Sequence, residues 1–292
     1  MPYLAILAGQ HEEQEVLGPG RSRMRGHRAR AHHTAARYSR RNGAHTGLGH
    51  HFLTEAWDRP YLQPCSQKPH LFFAVLGEFD FDAETREFSE DLAQGLVCRL
   101  IEANYFRQGE LWDTFLREQP QLAQRALAAP CAVVVDGEVE SHDDLGYLRY
   151  LLDFLAYLGD RGGEVVYDPY TFSWFSSQDW EHRVDQGQIF NPFDHVLLLA
   201  SPEDEGTSWL HTRGMLKFGR PDLSVRAVPE ADIPAVKKMI DRFISYQALG
   251  GVLEEGREVT MEGLERRFVP GPVLGSREDP DFNNFHVEFS PL

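Results

Sequence analysis

The residues best suited to chemistry lie in one stretch, Trp209-Leu-His-Thr-Arg-Gly-Met-Leu-Lys-Phe-Gly-Arg-Pro-Asp-Leu-Ser-Val225. His211 titrates near neutrality and can shuttle a proton. Thr212 offers a hydroxyl, and Arg213 a guanidinium that can hold an anion. His211 stands where a strand is expected to give way to a glycine-containing turn, a position that can project side chains into a cleft. A lone histidine is not a catalytic constellation, however, and no base or nucleophile stands beside it. The chemistry it supports is small-molecule binding, or a hydrolysis whose second group, Glu181 or His182, must be brought near by folding. No catalytic residue is assigned.

Other chemistries fail on spacing. No glycine-rich loop is followed by Lys-Ser/Thr, so no phosphate cradle is expected. There is neither a Gly-x-Ser-x-Gly elbow nor a His-Glu-x-x-His pair. Asp80, Asp82, Glu84 and Asp91 imitate a calcium loop, yet Thr85 stands where the sharp turn requires glycine. His286-Val287-Glu288 looks like half of a zinc-deaminase signature without its cysteines, and reads instead as a strand with alternating faces. Cys65, Cys98 and Cys131 are too scattered for a disulfide framework or a thiolate metal site. His142-Asp143-Asp144 suits a helix start better than a site. No metal and no cofactor are expected.

Stepping outward, the elements that must carry the stretch are legible from residue 71 on. Leu71–Leu76, Cys131–Val135 and His195–Ala200 read as buried strands, Glu164–Tyr167, Ser208–Arg213 and Leu223–Val228 as further strands, and Phe285–Phe289 as a last strand with alternating faces. Four-residue spacing of Leu92, Leu96, Leu100 and Ala103 predicts a helix opened near Ser89; further helices are expected around Leu111–Leu116 and Leu122–Ala128. A helix over 143–158, capped by Ser141 or Asp143, is apolar nearly all round and must be enclosed. Ser176 and Asp179 have the spacing that starts a short helix containing Trp180. Ile233 to Gln247 form a long amphipathic helix ended by Gly250 and Gly251. Between two strands, Gly214 and Gly219 can take positive φ, Pro221 stops the ladder and Asp222 can close the turn. The irregular interleaving favours an α+β fold, with the 131–135, 164–167, 195–200, 208–213 and 222–228 strands in one mixed sheet.

Charge divides the chain. Of its 292 residues, the first 60 hold nine arginines and five acids, whereas the remainder hold 20 basic against 40 acidic residues, a net of −20. Residues 1–60 therefore read as a basic, His/Arg-rich arm, mostly disordered, and 61–292 as an acidic α+β domain. Nucleic acid is an unexpected partner except through residues 21–41, where Tyr38 is the one stacking residue among the arginines. His32, His33, His50 and His51 lack ligand spacing for a metal. A replaced reading frame in a GC-rich gene would give the same composition. The opening MPYLAILAG lacks a basic n-region and reads as a first strand, and no apolar run approaches a membrane span; the expected compartment is the cytoplasm.

Thr212, Gly214, Met215, Phe218, Gly219, Pro221, Asp222 and Leu223, followed by a long helix and a turn near Gly256, resemble uncharacterised bacterial domain-of-unknown-function families. Their motif is Thr-x-Gly-Met/Leu-x-x-Phe-Gly-x-Pro-Asp/Glu-Leu, and some lie near toxin and immunity genes. The resemblance covers about residues 130 to 265 and transfers no catalytic residue. It implies a bacterial cytosolic fold and agrees with a cytosolic binding protein of the immunity type that neutralises a basic protein partner such as a toxin. The acidic body agrees, because such a field speeds encounter with a cationic surface, although solubility alone is also served by it. Glu203, Asp204, Glu205, Glu254 and Glu255 fall on expected turns, and Trp174, Phe175 and Trp180 are the aromatics available as anchors unless they pack in the core.

Overall fold

The computed structural model describes residues 16–17, 57–81, 89–90, 92–186, 190–204, 206–260 and 266–292. Most of the basic arm, the expected strand at 3–8, residues 82–88 and 91 of the calcium-like spacing, and Glu205 lie outside them. Trp57 and Arg59, which composition assigns to the arm, are buried in the α+β body, so that body begins by Trp57.

The first sheet has the order β1-β3-β4-β2-β5-β6, every pair antiparallel. Its strands are β1 (Val16–Leu17), β2 (His70–Gly77), β3 (Leu96–Glu102), β4 (Cys131–Glu138), β5 (Gly163–Asp168) and β6 (Ser173–Ser176). Central β2 reads as an unbroken apolar run because both its faces are covered. Phe72, Ala74 and Leu76 join one core with α1 (Gly109–Glu118) and α2 (Pro120–Ala128). Leu71, Phe73 and Val75 join a second core with α3 (Gly146–Asp160).

The expected helix does not run on through Leu96 and Leu100: residues 89–90 are helical, Leu92 stands in a bend, and Leu96 and Leu100 belong to strand β3. A spacing of four is also a multiple of two, so the same leucines satisfy a pleated strand. Gly95 decides the matter: its φ of 106° breaks a helix, and a Cβ there would lie 1.9 Å from the Glu138 carbonyl oxygen. The helices over 109–118 and 120–128 form as expected, the latter with Pro120 in its first turn, where a missing N–H costs nothing.

Enclosure of α3 follows its composition, with Leu148, Leu151, Phe154, Leu155 and Leu158 all at 0% exposure. Its expected caps are corrected. The helix starts later than Ser141 or Asp143 can reach, Asp144 Oδ1 accepts from Gly146 N at 2.8 Å, and Ser141 Oγ accepts from Arg59. Ser176 and Asp179 do exchange hydrogen bonds of 2.6 and 3.0 Å at the head of α4 (Ser177–Gln186).

The second sheet, in order β10-β11-β9-β8-β7, is mixed, with β9 and β11 parallel. It contains β7 (Leu197–Pro202), β8 (Thr207–Arg213), β9 (Asp222–Pro229), β10 (Phe268–Ser276) and β11 (Asn284–Pro291). The single mixed sheet expected from sequence is thereby corrected: β4 and β5 belong to one sheet, β7, β8 and β9 to another. The reason is lateral. Both flanks of β2 are taken by β4 and β5 and β6 pairs beyond β5, while β7 pairs with β8 and β8 with β9 in the other sheet. β10 goes unseen in the sequence because Pro270, Gly271 and Pro272 read as a turn; prolines are tolerated on an edge strand, which β10 is. Leu210, Leu223, Val225, Val287 and Phe289 of this sheet share the larger core with Val236, Ile240 and Ile244 of α5 (Ile233–Ala248) and with α3.

Gly95→Ala tests the strand assignment. The added methyl meets backbone rather than a flexible side chain, and a loss above about 2 kcal/mol in chemical denaturation is expected. A variant as stable as the parent would place residues 92–103 wrongly.

Candidate functional site

The stretch singled out by sequence is interior. Every residue from His211 to Val225 is buried, the shaped loop expected between the two strands included. Gly214 (φ 113°) and Gly219 (φ 63°) flank a 3-10 turn, Met215–Phe218. A Cβ on Gly219 would stand 2.8 Å from Pro69 N and 2.9 Å from Gln67 O. Thr212 Oγ1 donates to Asp222 Oδ1 and accepts from Leu223 N, both at 2.8 Å. Met215 N donates to the same carboxylate oxygen at 3.3 Å, and Asn284 Nδ2 to the other at 2.7 Å. The Pro221 carbonyl accepts from Gln247 of α5 at 3.2 Å. Phe218 is fully enclosed in the larger core. Each residue of the motif thus has a folding role, and Asp222 closes the turn as expected. Burial pushes its carboxyl up to about 6, against the pull of its three donors.

Cations unnoticed in the sequence hold this turn in place. Lys217 Nζ, with no exposure, donates to Asp168 and, at 3.0 Å, to the His195 carbonyl. Burial lowers its pKa while Asp168 opposes the shift. Arg220 donates to the carbonyls of Gly250 (2.6 Å), Gly251 (2.8 Å), Gly219 (2.9 Å) and Gln63 (3.0 Å). Arg59 donates to Phe218 O at 2.9 Å and Ala248 O at 3.2 Å. Both guanidiniums therefore meet carbonyls at the end of α5, the negative end of its dipole.

His211 and Arg213 lie on the β8 face that looks away from α5. His211, 4% exposed, stacks on Trp209 with ring centroids 3.8 Å apart and meets the edge of Phe282 at 5.6 Å. Phe282 in turn stacks on His286 at 4.1 Å. Arg226 covers the far side of Trp209 at 4.0 Å and pairs with Glu203 and Glu288. His211 Nδ1 has no hydrogen-bond partner. Burial, with Arg213 beside it, pushes its pKa down to about 4, so it is neutral at pH 7. No base or nucleophile is hydrogen-bonded to it among the described residues. Glu181 and His182 are exposed on α4, which packs against α3, β5 and β6, whereas His211 is buried on β8.

Arg213 is the unusual member. It is 2% exposed, its guanidinium lies 4.2 Å from the Phe172 ring centre, and Nη1 donates to the Asp281 carbonyl. Nε and Nη2 are buried with no acceptor. Each buried donor left unmade costs about 1–3 kcal/mol, so the fold maintains this arrangement against a penalty. Phe172, itself at a φ of 55°, Asp281 and Phe282 are site residues that sequence reasoning missed. They come from turns remote in the chain, and no local pattern marks them.

Among the expected partner-binding residues, Trp174 and Trp180 are buried in the two cores, Trp174 stacking on Tyr167 at 3.8 Å, and Phe175 is partly buried against the larger one. They are core residues because β6 and α4 fold them inward. Glu203, Asp204, Glu254 and Glu255 are exposed. No group of three or more potential metal ligands occurs among the described residues. No helix there is long and apolar enough to cross a membrane. Comparison with family models, with curated proteins and with solved structures gave no match to this chain.

The depressed pKa of His211 has a measurable sign. Its unfolded-state value near 6.5 exceeds the folded value of about 4, so the stability it permits at pH 7 is lost as pH falls between them. Asp222 works in the opposite sense, favouring the fold as pH drops from about 6 towards its unfolded value. His211→Phe keeps the stack and removes one half of this balance. Between pH 7 and 4.5 its stability, relative to the parent, should improve by about 2 kcal/mol in urea denaturation. An unchanged difference would show that His211 is not held neutral.

Proposed function

We propose that the chain is a cytoplasmic binding protein of the immunity type, whose acidic exterior captures and neutralises a basic partner protein. The observation that carries this reading is where the fold puts its charges. Among the described residues, Arg59, Arg149, Arg213, Lys217 and Arg220 are buried, against Asp168 and Asp222 alone of the acids. The solvent-facing surface is therefore more acidic than the composition states, and residues 61–292 already carry a net of −20. A field of that sign speeds encounter with a cationic protein and disfavours nucleic acid and anionic lipid. The resemblance of the 212–223 motif to families near toxin and immunity genes supports the same reading. A second reading, binding of a small molecule beside His211, is favoured by the two unpaired donors of Arg213.

Capture from cell extract at low salt, followed by association kinetics with the purified captured protein, tests the first reading. Steering by charge predicts that the association rate falls at least about tenfold between 20 and 500 mM salt, with dissociation little changed. Replacing Asp204, Glu254 and Glu255 together by lysine should slow association further without lowering stability. A captured protein that is not basic, or an association rate indifferent to salt, would sink it.

A further inference from the structure

We propose that Arg213 forms the floor of a binding slot for the carboxylate of a small monoanionic organic acid, covered by the loop 277–283. This deepens the small-molecule reading and is independent of the acidic exterior.

The geometry is that of the guanidinium edge. Nε and Nη2 carry N–H bonds that point along one side of the group, the arrangement that takes the two oxygens of a carboxylate side-on. In Arg213 this side is the one without acceptors, while Nη1 is occupied by the Asp281 carbonyl and the ring of Phe172 covers one face. Further buried polar atoms without hydrogen-bond partners lie on the same strand and on β11. His211 Nδ1 and His286 Nδ1 both lack hydrogen bonds, and both imidazoles pack on Phe282. His286 Nδ1 stands 3.8 Å from Asp279, beyond bonding distance. A ligand with one charged end and an apolar body fits a guanidinium edge set among Phe172, Phe282 and two stacked imidazoles.

Charge selects the monoanion. Among the described residues of β8 Arg213 is the buried cation, and the nearby Arg226 is engaged by Glu203 and Glu288 beside Trp209. Asp222, Asp279 and Asp281 act on Arg213 electrostatically, and a dianionic phosphate would meet their repulsion with a single guanidinium in return. A neutral His211 adds a hydrogen-bonding atom and no charge.

The cover is the segment joining β10 to β11. It leaves β10 just after Gly275 (φ 77°) and returns through Asn283 (φ 52°), both in the left-handed region. Inside, Asp279 Oδ1 accepts from Asp281 N at 3.0 Å and from Phe282 N at 3.2 Å, so the loop is a stiff unit. Arg277 ties it to Glu138 of the first sheet. The Asp281 carbonyl bond to Nη1 and the packing of Phe282 on both imidazoles tie this unit to the site, and the proposed route of entry is its displacement.

Calorimetric titration of the full chain with acetate, benzoate and inorganic phosphate tests the slot. Saturable binding of benzoate with a Kd below about 1 mM is expected, with phosphate at least tenfold weaker. Arg213→Lys, which keeps the charge and loses the side-on pair, should weaken benzoate at least tenfold. Arg213→Met, shown to be folded by its melting curve, should abolish binding. Arg277→Ala should speed association by freeing the loop. Benzoate binding that persists in Arg213→Lys and Arg213→Met would overturn the slot yet leave the small-molecule reading intact. Absence of saturable binding by both acetate and benzoate would overturn both. Phosphate binding as tight as benzoate would overturn the assignment of ligand class.

Discussion

The carboxylate of Asp222 is the point on which this structure turns. It accepts from Thr212 at the end of β8, from the backbone of Met215 in the 3-10 turn and from Asn284 at the start of β11. One side chain thereby sets the register of three neighbouring strands and the direction of the turn between two of them. That turn then serves both cores: Met215 and Phe218 enter the one between the sheets, and Leu216 enters the one beneath α1 and α2. A buried acid at this position is costly to desolvate, and three donors from three segments are what make it tolerable. The cost also explains the specificity: a turn displaced by one residue would strand the carboxyl without donors.

Much of this was legible because the motif residues have conformational reasons that survive folding. Gly214 and Gly219 do take positive φ, and Asp222 does close the turn. What sequence could not convey is depth. A turn rich in Gly, Pro, Asp, Lys and Arg looks like surface, and here it is core, because Lys217 finds Asp168 and Arg220 finds four carbonyls. Those partners come from residues 63, 168, 250 and 251, remote in sequence, and nothing local announces them. The failure at β3 has a different origin, since periods of two and four coincide over a short run and only Gly95 breaks the tie. The split into two sheets was hidden for a third reason. Pairing partners of buried strands are set by which flanks are free, a property of the whole fold rather than of any strand.

The same accounting of partners relates the interior to the exterior. Arg59 and Arg220 are held by carbonyls, not by carboxylates, so burying them removes positive charge from the surface without removing negative charge. Lys217 differs, taking Asp168 inward with it, and leaves the surface balance unaltered. An acidic exterior is thus partly a by-product of using arginine to tie the end of α5 to the buried turn. Its use in association is a further step that the turn itself does not require.

Arg213 departs from this pattern in a way that separates architecture from function. A guanidinium placed for stability has its donors matched, as Arg220 shows with Nε, Nη1 and Nη2 all engaged. Arg213 sits a few residues away in the same buried segment, desolvated to a similar degree, and has one nitrogen engaged. Its neighbours on β8 do not repair the deficit: Trp209 donates to Ser224, and His211 lies in a ring stack with its own Nδ1 unmatched. An apolar residue would fill the position beside Phe172 without leaving donors unmade, at the loss of the bond to Asp281, the contact over the Phe172 ring and the attraction to Asp222. The turn does gain from the cation, since Arg213 and the buried carboxylate of Asp222 attract one another, yet that attraction leaves the Nε and Nη2 edge unmatched, and it is on this edge that the proposed slot rests.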